Sequence, residues 1–139
     1  MAATVRDVMT SNPICLDPGT TLMEAARTMA ERDIGDVLVV DGANLVGIVT
    51  DRDVVVRAVA AGLDPRTTRL NEIVTRDPVT IDPDQPVTRA AELMRENATR
   101  RLPVVEGDRP AGIVSLGDLA KERDPGSVLA DISSAPANN

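Results

Sequence analysis

Gly47-Ile48-Val49-Thr50-Asp51-Arg52-Asp53 returns sixty-five residues later as Gly112-Ile113-Val114-Ser115-Leu116-Gly117-Asp118. The correspondence extends well beyond this motif. Val8–Val54 falls on Ile73–Leu119 without a gap, and fifteen of those 47 positions are identical. The matches include Pro13/Pro78, Asp17-Pro18/Asp82-Pro83, Ala25-Ala26/Ala90-Ala91, Met29/Met94 and Val39-Val40/Val104-Val105. A duplicated unit predicts a pseudo-two-fold architecture with paired sites.

Both copies read alike. Val5–Met9 and Leu70–Val74 are short helical turns leading in. Ile14-Cys15-Leu16 and Val79-Thr80-Ile81 are short strands, each opened by proline and closed by an Asp-Pro turn signal. A helix follows, with apolar positions Leu22, Ala25, Ala26 and Met29 in one copy and Val87, Ala90, Ala91 and Met94 in the other. This is the i, i+3, i+4, i+7 stripe of a helix with one buried face. Pro86 suits the first helical position, which makes Gln85 the cap and, by offset, Thr20 its counterpart. The Thr21-x-x-Glu24 box points instead to Thr21. Val37–Val40 and Leu102–Val105 are strands with both faces covered. Turns at 41–44 and 106–110 lead into third strands at 45–49 and 111–114, which complete hairpins. A second helix starts at Thr50/Asp51 or at Ser115; the first of these ends near Ala61, with Gly62 as its stop. Each unit is therefore β-α-β-β-α. A single unit of this size would be marginal alone, so one cooperative two-repeat module is expected. Its repeats are 5–61 and 70–123, joined by a linker at 62–69. The remainder, 124–139, is a tail with a weakly apolar segment at 128–132 and a disordered end.

Composition narrows the function. The chain has 139 residues, no histidine and one cysteine, Cys15. That combination removes nearly every zinc site and every Ser-His or Cys-His catalytic system. A lone cysteine fits a reducing compartment, and its place between Ile14 and Leu16 in a strand argues against a reactive role. Nothing resembles a signal peptide or reaches ~18 consecutive apolar residues, so the expected location is the cytoplasm, with no membrane partner. The net charge of −7 and the absence of Trp, Tyr and Phe argue against nucleic acid as a partner.

The segments DVMTSNPICLDPGTTLMEAARTM and IGDVLVVDGANLVGIVTDRD, with EIVTRDPVTIDPDQPVTRAAELM and TRRLPVVEGDRPAGIVSLGDL, together resemble the CBS domain pair, or Bateman module. The likeness covers roughly residues 5–122 and is nearest to the stand-alone two-repeat proteins of actinobacteria, especially through RAVAAGLDP. It implies an α+β fold: a tandem pair of CBS repeats packed through their sheets with pseudo-two-fold symmetry. It also implies a non-enzymatic sensor of an adenine nucleotide or related adenosyl ligand (AMP, ADP or ATP, with S-adenosylmethionine or NAD as further possibilities). A homodimer and an unidentified protein partner are implied as well.

In that family the (T/S)-x-x-D residues bind ribose hydroxyls and nearby phosphate. The chemistry is sensible, since a fixed carboxylate accepts two hydrogen bonds from a cis-diol and a helix start favours anions. The competing reading is equally concrete. Thr50 or Ser115 as N-cap, with Asp53 or Asp118 at N3, is a capping box that stabilises the helix with or without a ligand. Family geometry groups one repeat's strand edges with the other repeat's (T/S)-x-x-D. Pocket A takes Thr10, Ile14, Cys15, Ile34, Gly35 and Asp36 with Ile113, Ser115 and Asp118. Pocket B takes Thr75, Val79, Thr80, Thr99, Arg100 and Arg101 with Ile48, Thr50, Arg52 and Asp53. Pocket B gathers up to three guanidinium groups, whose forks suit phosphate. Pocket A adds a carboxylate, Asp36, which would oppose a phosphate ~4 Å away by roughly 4 kcal/mol at an effective dielectric near 20. A phosphorylated nucleotide is therefore expected to prefer pocket B. The alternative function is a ligand-free interaction module with vestigial pockets. A carboxylate–Mg²⁺ hydrolase lacks any pair that would activate a nucleophile.

Overall fold

The stripes and runs of the sequence become the elements of the computed structural model, which describes residues 3–123. In chain order these are α1 (Val5–Val8), β1 (Thr10–Ser11), β2 (Cys15–Leu16), α2 (Leu22–Arg32), β3 (Asp36–Asp41), β4 (Asn44–Thr50) and α3 (Asp51–Asp53). The last runs on as a π-helical turn, Val54–Val59. A 3-10 turn (Leu70–Glu72), β5 (Thr75–Arg76), α4 (Val87–Asn97), β6 (Arg101–Glu106), β7 (Arg109–Ser115) and α5 (Leu116–Arg123) follow. The expected tail from Asp124 lies outside the described residues.

The chain divides into two compact α+β units. One is Pro13–Pro78; the other combines the segment up to Asn12 with the segment from Val79 onward. In the first unit the strand order is β2-β3-β4-β5, with β2 parallel to β3 and the remaining pairs antiparallel. Val37, Leu38 and Val39 are fully buried, as a strand covered on both faces requires. The α2 stripe of Leu22, Ala25 and Met29 packs into the same core as Val37, Val39 and Val49. In the second unit the order is β1-β7-β6. Val87, Ala90 and Met94 of α4 share its core with Leu102, Val104 and Val114.

These units are not the sequence repeats. Each repeat's lead-in segment belongs to the other repeat's unit. Val5 N–H donates to Gln85 O and Arg6 N–H to Pro83 O, both at 2.9 Å, while Val87 N–H donates back to Ala3 O at 3.2 Å. The same three bonds recur with the roles of the copies reversed. Leu70 N–H donates to Thr20 O at 2.9 Å, Asn71 N–H to Pro18 O at 3.1 Å, and Leu22 N–H to Thr68 O at 2.9 Å. Val5 and Leu70 are both fully buried, and each such side chain stabilises by about 1.5–3 kcal/mol relative to exposure.

After each lead-in turn the chain adds an edge strand that the sequence did not announce. Thr10 and Ser11 of β1 lie opposite Ile113 and Gly112 of β7, and Thr75 and Arg76 of β5 lie opposite Ile48 and Gly47 of β4. Here both glycines of the Gly-Ile-Val motif find their reason. A Cβ on Gly47 would stand 2.1 Å from the Thr75 carbonyl oxygen, and one on Gly112 would stand 2.6 Å from that of Thr10.

Several expectations need correction. Val79-Thr80-Ile81 is no strand; it contributes one parallel bridge, Ile81 to Val104. Pro86 is the N-cap of α4, not its first helical residue, so the cap is not Gln85. Its equivalent Thr21 caps α2, accepting from Glu24 N–H at 3.2 Å. Arg109 and Pro110 belong to β7, where Pro110 pairs with Val105 next to a register shift that leaves Ala111 without a partner. The helix after Thr50 turns π-helical, with Ala60 N–H donating to Val55 O five residues back.

Candidate functional site

The Gly-Ile-Val strand ends where the next helix begins, and both copies build the same junction there. Thr50 is extended while Asp51 starts α3. Asp53 N–H donates to Thr50 Oγ1 at 3.1 Å, and Thr50 N–H donates to Asp53 Oδ2 at 2.9 Å. In the other unit Asp118 N–H donates to Ser115 Oγ at 3.1 Å, and Ser115 N–H donates to Asp118 Oδ2 at 2.9 Å. Both capping boxes are therefore complete without a ligand. The two carboxylates are mostly covered, with 16% and 14% side-chain exposure. Their second oxygens meet cations at long range. Arg57 Nε is 3.7 Å from Asp53 Oδ1, and Lys121 Nζ is 3.9 Å from Asp118 Oδ1. Those distances exceed a good charge-assisted hydrogen bond. A carboxylate oxygen has two lone pairs, so each Oδ1 retains capacity to accept from a hydroxyl.

The edge strands bring further expected residues to these junctions. Thr75 faces Ile48 two residues before Thr50, and Thr10 faces Ile113 two residues before Ser115. The start of the central strand lies on the other side. Asp36 is opposite Thr50 and Arg101 is opposite Ser115. Asp51 N–H donates to Gly35 O at 2.9 Å, and Leu116 N–H donates to Arg100 O at 2.8 Å. Thr99 hydroxyl donates to Arg101 O at 3.1 Å. Thr99 and Arg100 also line a surface cleft of about 410 Å³ with Arg95, Met94 and Leu116.

Of pocket B, Ile48, Thr50, Arg52, Asp53 and Thr75 thus fall in the Pro13–Pro78 unit, and Val79, Thr80, Thr99, Arg100 and Arg101 in the other. Of pocket A, Thr10, Ile113, Ser115 and Asp118 share one unit, while Ile14, Cys15, Ile34, Gly35 and Asp36 fall in the other. Ile14 and Ile34 pack on the first core and Val79 on the second. The Cys15 thiol donates to Pro13 O at 3.5 Å, and partial burial pushes its pKa up, away from a reactive thiolate.

Arg57 and Lys121 were not among the residues singled out from sequence. Their signal was the i, i+4 and i, i+3 spacing from Asp53 and Asp118. Among the described residues no three His, Cys, Asp or Glu side chains cluster as metal ligands, and no helix is long and apolar enough to cross a membrane.

Known proteins supply an independent comparison. The family model for the CBS domain matches twice, over residues 5–59 and 70–124. The CBS domain-containing protein YhcV of Bacillus subtilis is 36% identical over 135 residues, covering 94% of this chain and 96% of the relative. The crystal structure of Hypoxic Response Protein I with two coordinated zinc ions superposes with a TM-score of 0.78 at 36% identity, covering 86% of this chain and 98% of that one. The CBS domain pair of protein MJ0100, in complex with 5′-methylthioadenosine and S-adenosyl-L-methionine, gives a TM-score of 0.80 at 29% identity, over 91% of this chain and all of that one.

Proposed function

The chain belongs to the CBS domain family, and from that premise we propose that it is a non-catalytic sensor of an adenine nucleotide or related adenosyl ligand. CBS pairs as a family regulate rather than catalyse. The observation that carries the reading is the twice-built Thr/Ser–Asp junction, whose carboxylates are held rigidly yet keep acceptor capacity for a ribose diol. A similar CBS pair binds two adenosyl compounds. The zinc of another relative is not carried over, because this chain has no histidine and a single cysteine. The sensor works in the cytoplasm, and its output runs through self-association and a protein partner. Val55, Val56 and Val59, with 57%, 48% and 64% exposure, would give such association an apolar surface. The complete capping boxes favour a second reading, in which the carboxylates serve the helices alone and the protein is a ligand-free interaction module.

The absence of aromatic residues makes the two readings easy to separate. Pure protein absorbs almost nothing at 260–280 nm, so a 260 nm band reports bound nucleotide, identifiable by mass spectrometry of an acid extract. AMP, ADP, ATP, S-adenosylmethionine and NADH are then screened by thermal shift. The cognate ligand stabilises by about 2.7 kcal/mol at a hundred times Kd. A blank spectrum and no shift with any of the five would establish the interaction-module reading.

Within this proposal Arg101 reads the phosphate of a nucleotide. Arg101→Ala is expected to weaken AMP binding about tenfold, the worth of one charge-assisted contact. Unchanged affinity in calorimetry would remove Arg101 from the site.

A further inference from the structure

Arg57 sits where the other copy carries Glu122, sixty-five residues on. It lies in the π-helical turn, four residues after Asp53. Its Nε is 3.7 Å from Asp53 Oδ1, and its Nη1 donates to the Ile73 carbonyl at 3.0 Å. Ile73 precedes by two residues Thr75, which faces Ile48 across the sheet. A guanidinium is planar and its donors form a rigid fork. The hydrogen bond to Ile73 anchors one end of the group and leaves a permanent positive charge 3.7 Å from the ribose-type carboxylate. All of these groups lie within the Pro13–Pro78 unit.

The other junction is built differently. Lys121 approaches Asp118 Oδ1 at 3.9 Å from a flexible stem. The position equivalent to Arg57 carries a carboxylate, which repels an anion.

We propose that Arg57 is a specificity-determining residue: it makes the Thr50–Asp53 junction favour an adenosyl ligand with an anionic group near its ribose over a neutral one. The Ser115–Asp118 junction is charged by other groups, Lys121 beside Asp118 and Arg101 opposite Ser115. The inference rests on the adenosyl-sensor reading and adds the charge class of the ligand at one of the two junctions.

The test compares AMP with adenosine by calorimetry on the full chain, in an Asp118→Asn background that isolates the first junction. Arg57→Ala is expected to weaken AMP about tenfold, as for loss of one charge-assisted contact, and to leave adenosine within about twofold. Arg57→Lys keeps the charge without the fork, so its AMP affinity falls between the two, which guards against loss of folding in the alanine variant. Equal losses for AMP and adenosine, or no loss for AMP, would overturn the specificity role while leaving the sensor reading intact. Failure of the unsubstituted protein to bind either compound would overturn both.

Discussion

Gly47→Ala is expected to cost about 3 kcal/mol of folding stability, near the upper end for overpacking a close-packed site. That corresponds to a melting temperature lower by about 10 °C for a chain of this size. The added methyl would stand 2.1 Å from the Thr75 oxygen and 2.9 Å from its carbonyl carbon. Both are backbone atoms of β5, and β5 is held by its pairing to β4. Relief requires moving the edge strand and, with it, the buried Leu70, Ile73 and Val74 that precede it. Gly112→Ala meets the Thr10 oxygen at 2.6 Å, and its next neighbours are atoms of the flexible Met9 side chain. Its penalty is smaller, about 2 kcal/mol. Urea or thermal unfolding of the two variants checks the order. A Gly47→Ala protein that melts within about 2 °C of the parent would show that β5 is not seated as described.

The second large effect concerns binding. Asp53→Asn is expected to lower AMP affinity about thirtyfold, because a carboxylate accepting from a diol gives way to a neutral amide worth about 2 kcal/mol less. It also weakens the capping box, at a cost of about 1 kcal/mol in stability. Thr50→Ala breaks the same box from the other side and leaves the carboxylate in place. The two variants should therefore lose similar stability, with the larger affinity loss in Asp53→Asn. If Asp53→Asn binds AMP as the parent does, the carboxylate is a helix cap and nothing more.

The residues that announced themselves in the sequence were those whose pattern is local. The Leu22–Met29 and Val87–Met94 stripes, the runs at Val37 and Leu102, and both capping boxes depend on neighbours within one or two turns, and all form, although Ala26 of the first stripe is exposed rather than buried. What stayed hidden depends on partners far along the chain. Val5 and Leu70 fill equivalent places in the repeat, and nothing in either side chain says which core it enters. The edge strands at Thr10 and Thr75 are two residues long, too short to show alternation. Gly47 was conspicuous as a repeated glycine, but the carbonyl it accommodates lies 28 residues away (Gly47 to Thr75). Three consecutive valines after Asp53 suit a helix or a strand, and their periodicity does not distinguish an α-turn from a π-turn. Arg57 was legible as a neighbour of Asp53; its second contact, to Ile73, was not.

The exchange of lead-in segments also sets an order on synthesis. Domains fold as units while the chain emerges, N-terminal parts first. The Pro13–Pro78 unit has all its pieces once Pro78 is made. Residues 3–12 leave the ribosome before any of these, yet their strand partner, at Gly112 and Ile113, is nearly the last of the described chain to appear. Thr10 and Ser11 must wait, unpaired, for Gly112 and Ile113. A fragment cut at the repeat boundary would strand Val5 without a core and deprive the first repeat of Leu70, whereas 13–78 is the piece that carries its own interior.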